Sequence, residues 1–168
     1  MKSFLSLTCV VVFSLTVNAQ KKNTTAKDEL LKSQAATDIQ SNYDQYKTTA
    51  LQIWDYAEMG YKEVKSSTLL QKMLQDNGFT VEAGVAGIPT AFVATYGSGK
   101  PVIAILAEYD ALPGLSQTAD PVKTSAGKDA GHACGHHLFG VASAASGIAI
   151  KRLIEEKKLT GTIKVFGC

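Results

Sequence analysis

The apolar run Val102–Ala107 constrains the fold more than any other segment of the chain. Its residues, Val-Ile-Ala-Ile-Leu-Ala, include no polar side chain at alternate positions that would face water. Such a run is typical of a strand that is buried on both faces of a sheet covered by helices. We therefore predict a central strand here.

A helix and a second strand follow this run. Apolar residues recur every three or four positions from 138 to 153, and the small residues Gly140 and Gly147 would let this helix lie close to a sheet. Residues 162–166 then have the composition of a strand. The order strand, helix, strand predicts an α/β fold in which a right-handed crossover joins parallel strands.

The first half of the chain contains predicted helices. Residues 38–57 have helical spacing, and a second helix follows Ser66-Ser67 and ends at Asn77-Gly78, because glycine readily adopts the left-handed conformation after a helix. Residues 90–96 are rich in aromatic and β-branched side chains and predict a strand. The polar segment 20–37 is interpreted as a linker or a marginal helix, which leaves 38–168 as the part with a clear folding pattern.

The N-terminus has the pattern of a secretory signal peptide. Lys2 precedes an apolar run over residues 4–17, and Val17-Asn18-Ala19 has small residues at the positions that signal peptidase recognises. The run is shorter than the roughly 20 residues that span a bilayer. We expect cleavage after Ala19, export to the periplasm or the extracellular space, and no stable membrane insertion afterwards.

The length and charge exclude some classes of protein. A chain of 168 residues with 17 basic and 15 acidic side chains has a formal net charge of +2. This is enough for one domain with a core, and it is not the basic footprint of a nucleic-acid-binding protein.

Polar side chains follow both predicted strands of the second half. Glu108-Tyr109-Asp110 follows the central strand, Cys134 and His136 precede the helix, and Cys168 follows the last strand. Open α/β sheets bind ligands beyond the carboxyl ends of their strands. These side chains are therefore expected at one edge of the sheet.

Cys134-Gly135-His136 places a thiolate and an imidazole two residues apart, with a glycine that permits a tight bend. This pair of donors suits zinc and related transition metals. Asp110 is a candidate ligand or a carboxylate that holds an imidazole in place. A site needs three or four ligands, so the spacing alone leaves other interpretations open.

Three alternatives remain at this point. Cys134 and Cys168 are candidates for a disulfide in an exported, non-catalytic domain. Cys134 could instead be the nucleophile of a cysteine hydrolase, activated by a helix N-terminus and a histidine. His132 could bond to the loop backbone and His137 could cap the helix, while Glu108 could be a solvated charge.

Four ordered stretches resemble the aminoacylase and carboxypeptidase-G family of metallopeptidases and amidohydrolases, in particular its aminobenzoyl-glutamate hydrolase type. The resemblance covers about residues 53–168 in continuous order. The stretches are Gly84-Val85-Ala86-Gly87-Ile88-Pro89-Thr90-Ala91-Phe92, Leu106-Ala107-Glu108-Tyr109-Asp110-Ala111-Leu112-Pro113-Gly114-Leu115-Ser116-Gln117, Gly131-His132-Ala133-Cys134-Gly135-His136 and Gly161-Thr162-Ile163-Lys164-Val165-Phe166-Gly167-Cys168.

The resemblance implies a mixed sheet covered by helices, of the zinc-exopeptidase (phosphorylase/hydrolase-like) kind. It also implies a two-metal centre of zinc or manganese that cleaves the amide bond of N-acyl amino acids or aminobenzoyl-glutamate-like compounds. By motif position, Cys134 and His136 correspond to metal ligands, Asp110 to the supporting aspartate, and Glu108 to its neighbour.

Two departures from the family pattern accompany this resemblance. His137 stands where many relatives have Asp or Asn, so its role is open. The family's base glutamate, further ligands and dimerising lid domain would follow residue 168. From the resemblance we expect an incomplete catalytic domain that is inactive alone and lacks the part through which a full-length parent would form a homodimer.

Overall fold

A computed structural model describes residues 25–168. The predicted signal peptide, residues 1–19, lies outside this range. The helices are α1 (Ala26–Ser41), α2 (Tyr43–Tyr56), α3 (Val64–Asp76) and α4 (His136–Glu155), with a short 3-10 helix at Val85–Gly87; the strands are β1 (Thr80–Ala83), β2 (Phe92–Ser98), β3 (Val102–Ala107), β4 (Leu112–Pro113), β5 (Ala130–Gly131) and β6 (Gly161–Gly167).

The main sheet has four strands in the order β1-β2-β6-β3. β1 with β2 and β2 with β6 are antiparallel, whereas β3 and β6 are parallel neighbours joined through α4. The prediction of an α/β fold with a mixed sheet and helices is therefore confirmed. The sequence pattern did not predict β1, which the structure shows as a further strand of the sheet.

The segment 20–37, for which the sequence left a polar linker and a marginal helix open, is helical from Ala26 onwards, so the helix is the correct alternative and the linker is wrong for most of its length. Thr25 and Asp28 form a capping box in which each side chain accepts a hydrogen bond from the other's backbone N–H, at 3.2 and 3.0 Å. Asp38 of α1 also forms an ion pair with Arg152 of α4. These contacts stabilise a helix in a segment whose Lys- and Thr-rich composition is typical of a linker. The predicted helix over 38–57 is divided at Asn42 between α1 and α2.

The prediction that β3 is buried on both faces is also wrong for the described part of the chain. Val102, Ile103 and Leu106 are 56%, 51% and 59% exposed. The strand lies at one edge of the sheet, so only β6 pairs with it. In the neighbouring β6, Ile163 and Val165 are buried whereas the alternate residues Thr162, Lys164 and Phe166 are partly exposed, so one sheet face carries the core.

Helix α4 lies close to that buried face, as its small residues predicted. A Cβ atom at Gly140 would lie 2.5 Å from the carbonyl oxygen of Glu108, and one at Gly147 would lie 2.8 Å from Cγ2 of Val165. The beginning of α4 is thereby brought against the end of β3. This contact sets the geometry of the candidate site.

Candidate metal centre

His136, the first residue of α4, lies between two carboxylates that follow β3. Its Nδ1 is 2.6 Å from Oδ1 of Asp110, and its Nε2 is 3.0 Å from Oε2 of Glu108. The side chain of His136 is 20% exposed, and those of Glu108 and Asp110 are 42% and 31% exposed. The structure thus brings three of the four predicted site residues into direct contact at the carboxyl end of β3.

Extended geometry explains why both carboxylates point the same way. Side chains alternate along an extended segment, so Glu108 and Asp110 share one side and Tyr109 points to the other. Tyr109 is fully buried in the core, and its ring stacks on Phe92 with centroids 6.1 Å apart. Its hydroxyl donates a hydrogen bond of 2.5 Å to the backbone oxygen of Thr90.

Cys134 lies in the tight turn that leads into α4. The backbone N–H of Gly135 donates to the carbonyl oxygen of His132 at 3.1 Å, and Gly135 has a φ of 88°, which favours glycine. The side chain of Cys134 is exposed. The turn therefore presents a thiol to solvent two residues before His136, although no contact joins Cys134 to the carboxylates.

His132 and His137 form a second pair of imidazoles beside this turn. His132 is buried and its Nε2 lies 3.0 Å from the carbonyl oxygen of Ile53 in α2. The two rings are tilted, with centroids 5.0 Å apart, and the Nδ1 atom of each is buried without a hydrogen-bond partner. Burial lowers the pKa of His132, and burial with the neighbouring His132 lowers the pKa of His137 to about 4. Both rings are therefore neutral at pH 7.

Cys168 follows β6 at the same edge of the sheet. Its backbone N–H donates to the carbonyl oxygen of Ala107 at 3.1 Å. Partial burial raises the pKa of its thiol, and the nearby charges of Glu108 and Asp110 raise it further. Cys134 and Cys168 are both free and exposed, so the structure lends no support to a disulfide between them.

The donors at this edge fit a transition-metal ion in type and fall short in number. A thiol, and an imidazole whose Nδ1 is held by a carboxylate, are the groups that bind zinc and similar ions. Within residues 25–168, however, no three His, Cys, Asp or Glu side chains converge as a ligand set. Nε2 of His136, the nitrogen that a metal would need, lies 3.0 Å from Oε2 of Glu108. The described residues therefore supply part of a ligand set.

The sequence prediction missed the buried polar network behind the site. Thr90 donates from Oγ1 to Oε2 of Glu63 at 2.9 Å, and both Tyr109 and Ser67 donate to the backbone oxygen of Thr90. Glu63, Ser67 and Thr90 are all nearly completely buried. The position of Tyr109 between Glu108 and Asp110 is the one sequence signal that could have placed it in the core; nothing in the sequence indicated its partner.

Comparison with known proteins identifies relatives by sequence and by structure. The chain is 44% identical over 133 residues to one of the subunits of p-aminobenzoyl-glutamate hydrolase from Escherichia coli, a match that covers 77% of this chain and 27% of that protein. A dinuclear metal-binding peptidase of the M20 family from Bacillus subtilis superposes with a TM-score of 0.59 and 26% identity, over 76% of this chain and 35% of the other. No family model matches the sequence.

A third relative supports the fold alone. A putative aminohydrolase from methicillin-resistant Staphylococcus aureus has a TM-score of 0.67 at 22% identity and covers 80% of this chain and 34% of its own. Sequence and fold agree on one group of hydrolases: the chain is similar to p-aminobenzoyl-glutamate hydrolase and to an M20 peptidase, which agrees with the family that its motifs resemble. It spans about a quarter of the length of the E. coli protein.

Proposed function

We propose that this chain contributes part of the metal centre of an exported amidohydrolase that cleaves small amides. The observation that carries the proposal is His136, whose Nδ1 is held by Asp110 beside the exposed thiol of Cys134. A metal-binding histidine commonly donates its second ring nitrogen to a carboxylate in this way, which fixes the tautomer and directs the free nitrogen towards the ion. The M20 peptidase from B. subtilis is described as binding two metals, which agrees with this arrangement.

In this proposal Cys134 and Nε2 of His136 are ligands of a divalent ion, zinc or manganese, in a two-metal centre. When bound, such an ion polarises the amide carbonyl and lowers the pKa of a bound water. Asp110 keeps the proton of His136 on Nδ1. Oε2 of Glu108 lies 3.0 Å from Nε2 in the described structure, so it must move aside for an ion to bind there; its partial exposure leaves room for this movement.

The substrate class is proposed from the relatives. The E. coli protein is named for hydrolysis of p-aminobenzoyl-glutamate, in which an amide joins an acyl group to an amino acid. We propose N-acyl amino acids or aminobenzoyl-glutamate-like compounds as substrates. The ligand set within residues 25–168 is incomplete, so we expect no turnover from these residues alone.

Export is proposed from the N-terminal pattern, in which residues 1–19 form the signal peptide. Among the helices of residues 25–168, none has the length and apolar character that a bilayer span requires. Mass spectrometry of the protein recovered from the periplasm or medium of an expressing bacterium tests the proposal. The expected N-terminus is Gln20, and retention of Met1 would contradict export.

Cobalt titration of the full chain tests the ligand assignment, because thiolate coordination to Co²⁺ gives a charge-transfer absorption band. The variant Cys134→Ser should abolish this band, and His136→Gln should weaken binding. Cys168→Ser is the matched control, since it removes the other exposed thiol of residues 25–168 and should leave the band unchanged. Loss of the band in Cys168→Ser alone would contradict the assignment.

A chimera tests the reaction. Residues 53–168 would replace the matching part of the E. coli hydrolase, and hydrolysis of p-aminobenzoyl-glutamate would be followed with and without a chelator. We expect activity that depends on metal and is lost in Cys134→Ser and His136→Gln. Activity that survives chelation and is blocked by alkylation of Cys134 would instead favour a cysteine hydrolase.

A further inference from the structure

Tyr109 separates the two carboxylates that contact His136, and its side chain is anchored on the opposite side of the segment. The residue is completely buried, its ring stacks on Phe92 at an interplanar angle of 8°, and its hydroxyl donates to Thr90. Packing of an aromatic ring in the core would by itself explain the stacking. The hydroxyl bond adds a directional constraint that packing does not supply.

The acceptor of this bond is itself firmly held. The backbone oxygen of Thr90 also accepts a hydrogen bond of 2.6 Å from the hydroxyl of Ser67 in α3, and Oγ1 of Thr90 donates to the buried carboxylate of Glu63. Burial raises the pKa of Tyr109, so its hydroxyl stays protonated and remains a donor. The tyrosine is therefore tied to a point fixed by two other buried side chains.

The backbone on both sides of Tyr109 is also constrained. The N–H of Ala111 donates to the carbonyl oxygen of Glu58 at 2.7 Å, and the close approach of Gly140 leaves no space above the carbonyl oxygen of Glu108. Any rotation of the segment would have to move the Tyr109 hydroxyl from its acceptor. The directions of the Glu108 and Asp110 side chains are thereby coupled to the hydroxyl bond.

We propose that Tyr109 is a positioning residue, whose hydroxyl bond to Thr90 fixes Glu108 and Asp110 around His136. The role deepens the proposed metal function and rests on it for its use in catalysis; the positioning itself requires no metal. The side chain of Tyr109 lies in the core, on the side of the segment away from solvent. It therefore acts on the site only through Glu108 and Asp110, its neighbours in the chain.

The structure offers a matched pair of variants for the test. Tyr109→Phe removes one donor to Thr90 and keeps the ring, while Ser67→Ala removes the other donor to the same oxygen. Each variant leaves this oxygen with one partner. Only Tyr109 is covalently joined to the carboxylates of the site. Tyr109→Met, which fills the core without a hydroxyl, is a second variant if Tyr109→Phe does not fold.

Two measurements on the full chain distinguish positioning from stability. The first is the NMR signal of the His136 Nδ1–H in hydrogen bond to Asp110, and the second is the affinity for Co²⁺. In Tyr109→Phe we expect the NMR signal to broaden or disappear and the affinity to fall about tenfold, the lower end of the effect of outer-shell partners of a metal ligand. Ser67→Ala, in which Tyr109 keeps its own bond to Thr90, should weaken both much less, even if both variants lower Tm.

These outcomes test the positioning role of Tyr109 separately from the assignment of Cys134 and His136 as metal ligands. Wild-type NMR signal and affinity in a folded Tyr109 variant, or equal losses in Ser67→Ala, would overturn it. If the wild-type chain binds no Co²⁺, the proposed ligand role fails, and the NMR comparison still decides whether Tyr109 positions the carboxylates.

Discussion

Oδ1 of Asp110 lies 2.6 Å from Nδ1 of His136, although 26 positions of chain separate the two residues. One follows a strand and the other begins a helix, so their contact depends on how closely α4 approaches β3. A bond this short between a carboxylate and an imidazole is typical of charge-assisted pairs. The contact is therefore the part of the site that responds most directly to mutation.

Replacement of Asp110 by Asn should weaken metal binding without unfolding the chain. The amide keeps the shape of the side chain and loses the charge that favours a proton on Nδ1. We expect the affinity for Co²⁺ to fall about 10- to 100-fold. Titration of the full chain measures this, and Asp120→Asn, the same change at an exposed loop position, is the control. Equal affinity in the wild type and Asp110→Asn would contradict the role of Asp110.

The metal-free chain should lose stability in mildly acidic solution because of His137. The pKa of His137 is lowered to about 4 in the folded protein, and an unperturbed histidine has a pKa of about 6.5. Between these values the unfolded chain binds a proton that the folded chain does not, so stability falls as pH decreases from about 6.5 towards 4. At 1.36 kcal/mol per pKa unit the full difference corresponds to about 3–4 kcal/mol, and solvent screening of the partly exposed ring reduces the effect below this value.

Urea unfolding at pH 7 and pH 5 measures this loss. His137→Asn removes the titrating group, so its stability should change less with pH than that of the wild type. Parallel pH profiles for the two proteins would show that His137 is not buried in its neutral form. His132, whose pKa is lowered as well, should give the same sign of effect.

A methyl group at Gly140 should separate α4 from β3. The added Cβ would lie 2.5 Å from the carbonyl oxygen of Glu108 and 3.3 Å from Cδ1 of Leu70, and backbone atoms cannot move aside without shifting the strand. We expect Gly140→Ala to cost about 1–3 kcal/mol. Gly147→Ala, whose nearest contact is a side-chain methyl of Val165, is the comparison and should cost less in urea unfolding. The reverse order would contradict the close approach described at Gly140.

The edge of the sheet should promote self-association. β3 has no charged residue, its Val102 and Leu106 side chains are more than half exposed, and its outer edge has no paired strand in the described chain. Exposed, apolar edge strands are predicted aggregation sites. Leu106→Lys should reduce association, measured by light scattering, with little change in Tm. Ile105→Lys places the same charge at a more buried position and should lower Tm instead. Unchanged association in Leu106→Lys would argue against this edge.

The sequence predicted the parts of the fold that depend on local patterns. The apolar run of β3 and the three-to-four spacing of α4 predicted both elements because periodicity is a property of neighbouring residues. For α1 the sequence left a linker and a marginal helix open, because its start depends on reciprocal hydrogen bonds between Thr25 and Asp28, which composition does not reveal. The short β1 is mostly exposed and depends on pairing with β2, a contact made elsewhere in the chain.

The candidate site also has features that local sequence patterns predict and features that depend on the packed fold. Its residues were predicted to share one edge because strand ends determine where side chains gather, and the structure brings Glu108, Asp110 and His136 together there. Which nitrogen of His136 meets which carboxylate, and how Tyr109 is anchored to Thr90, depends on distances that only the packed fold determines. The bond from His132 to Ile53 joins segments 79 positions apart and has no local signal.

The order of strands in the sheet has a consequence for biosynthesis. β2 and β3 are consecutive in sequence, yet β6 lies between them and pairs with both. As a ribosome extends the chain, the two earlier strands therefore cannot join until residues 161–167 have left the exit tunnel. Throughout that interval β3 has no neighbour on either side, and a nascent chain would be exposed to chaperones and proteases. The timing of synthesis, as well as the stability of the finished sheet, should influence how much folded protein a cell obtains.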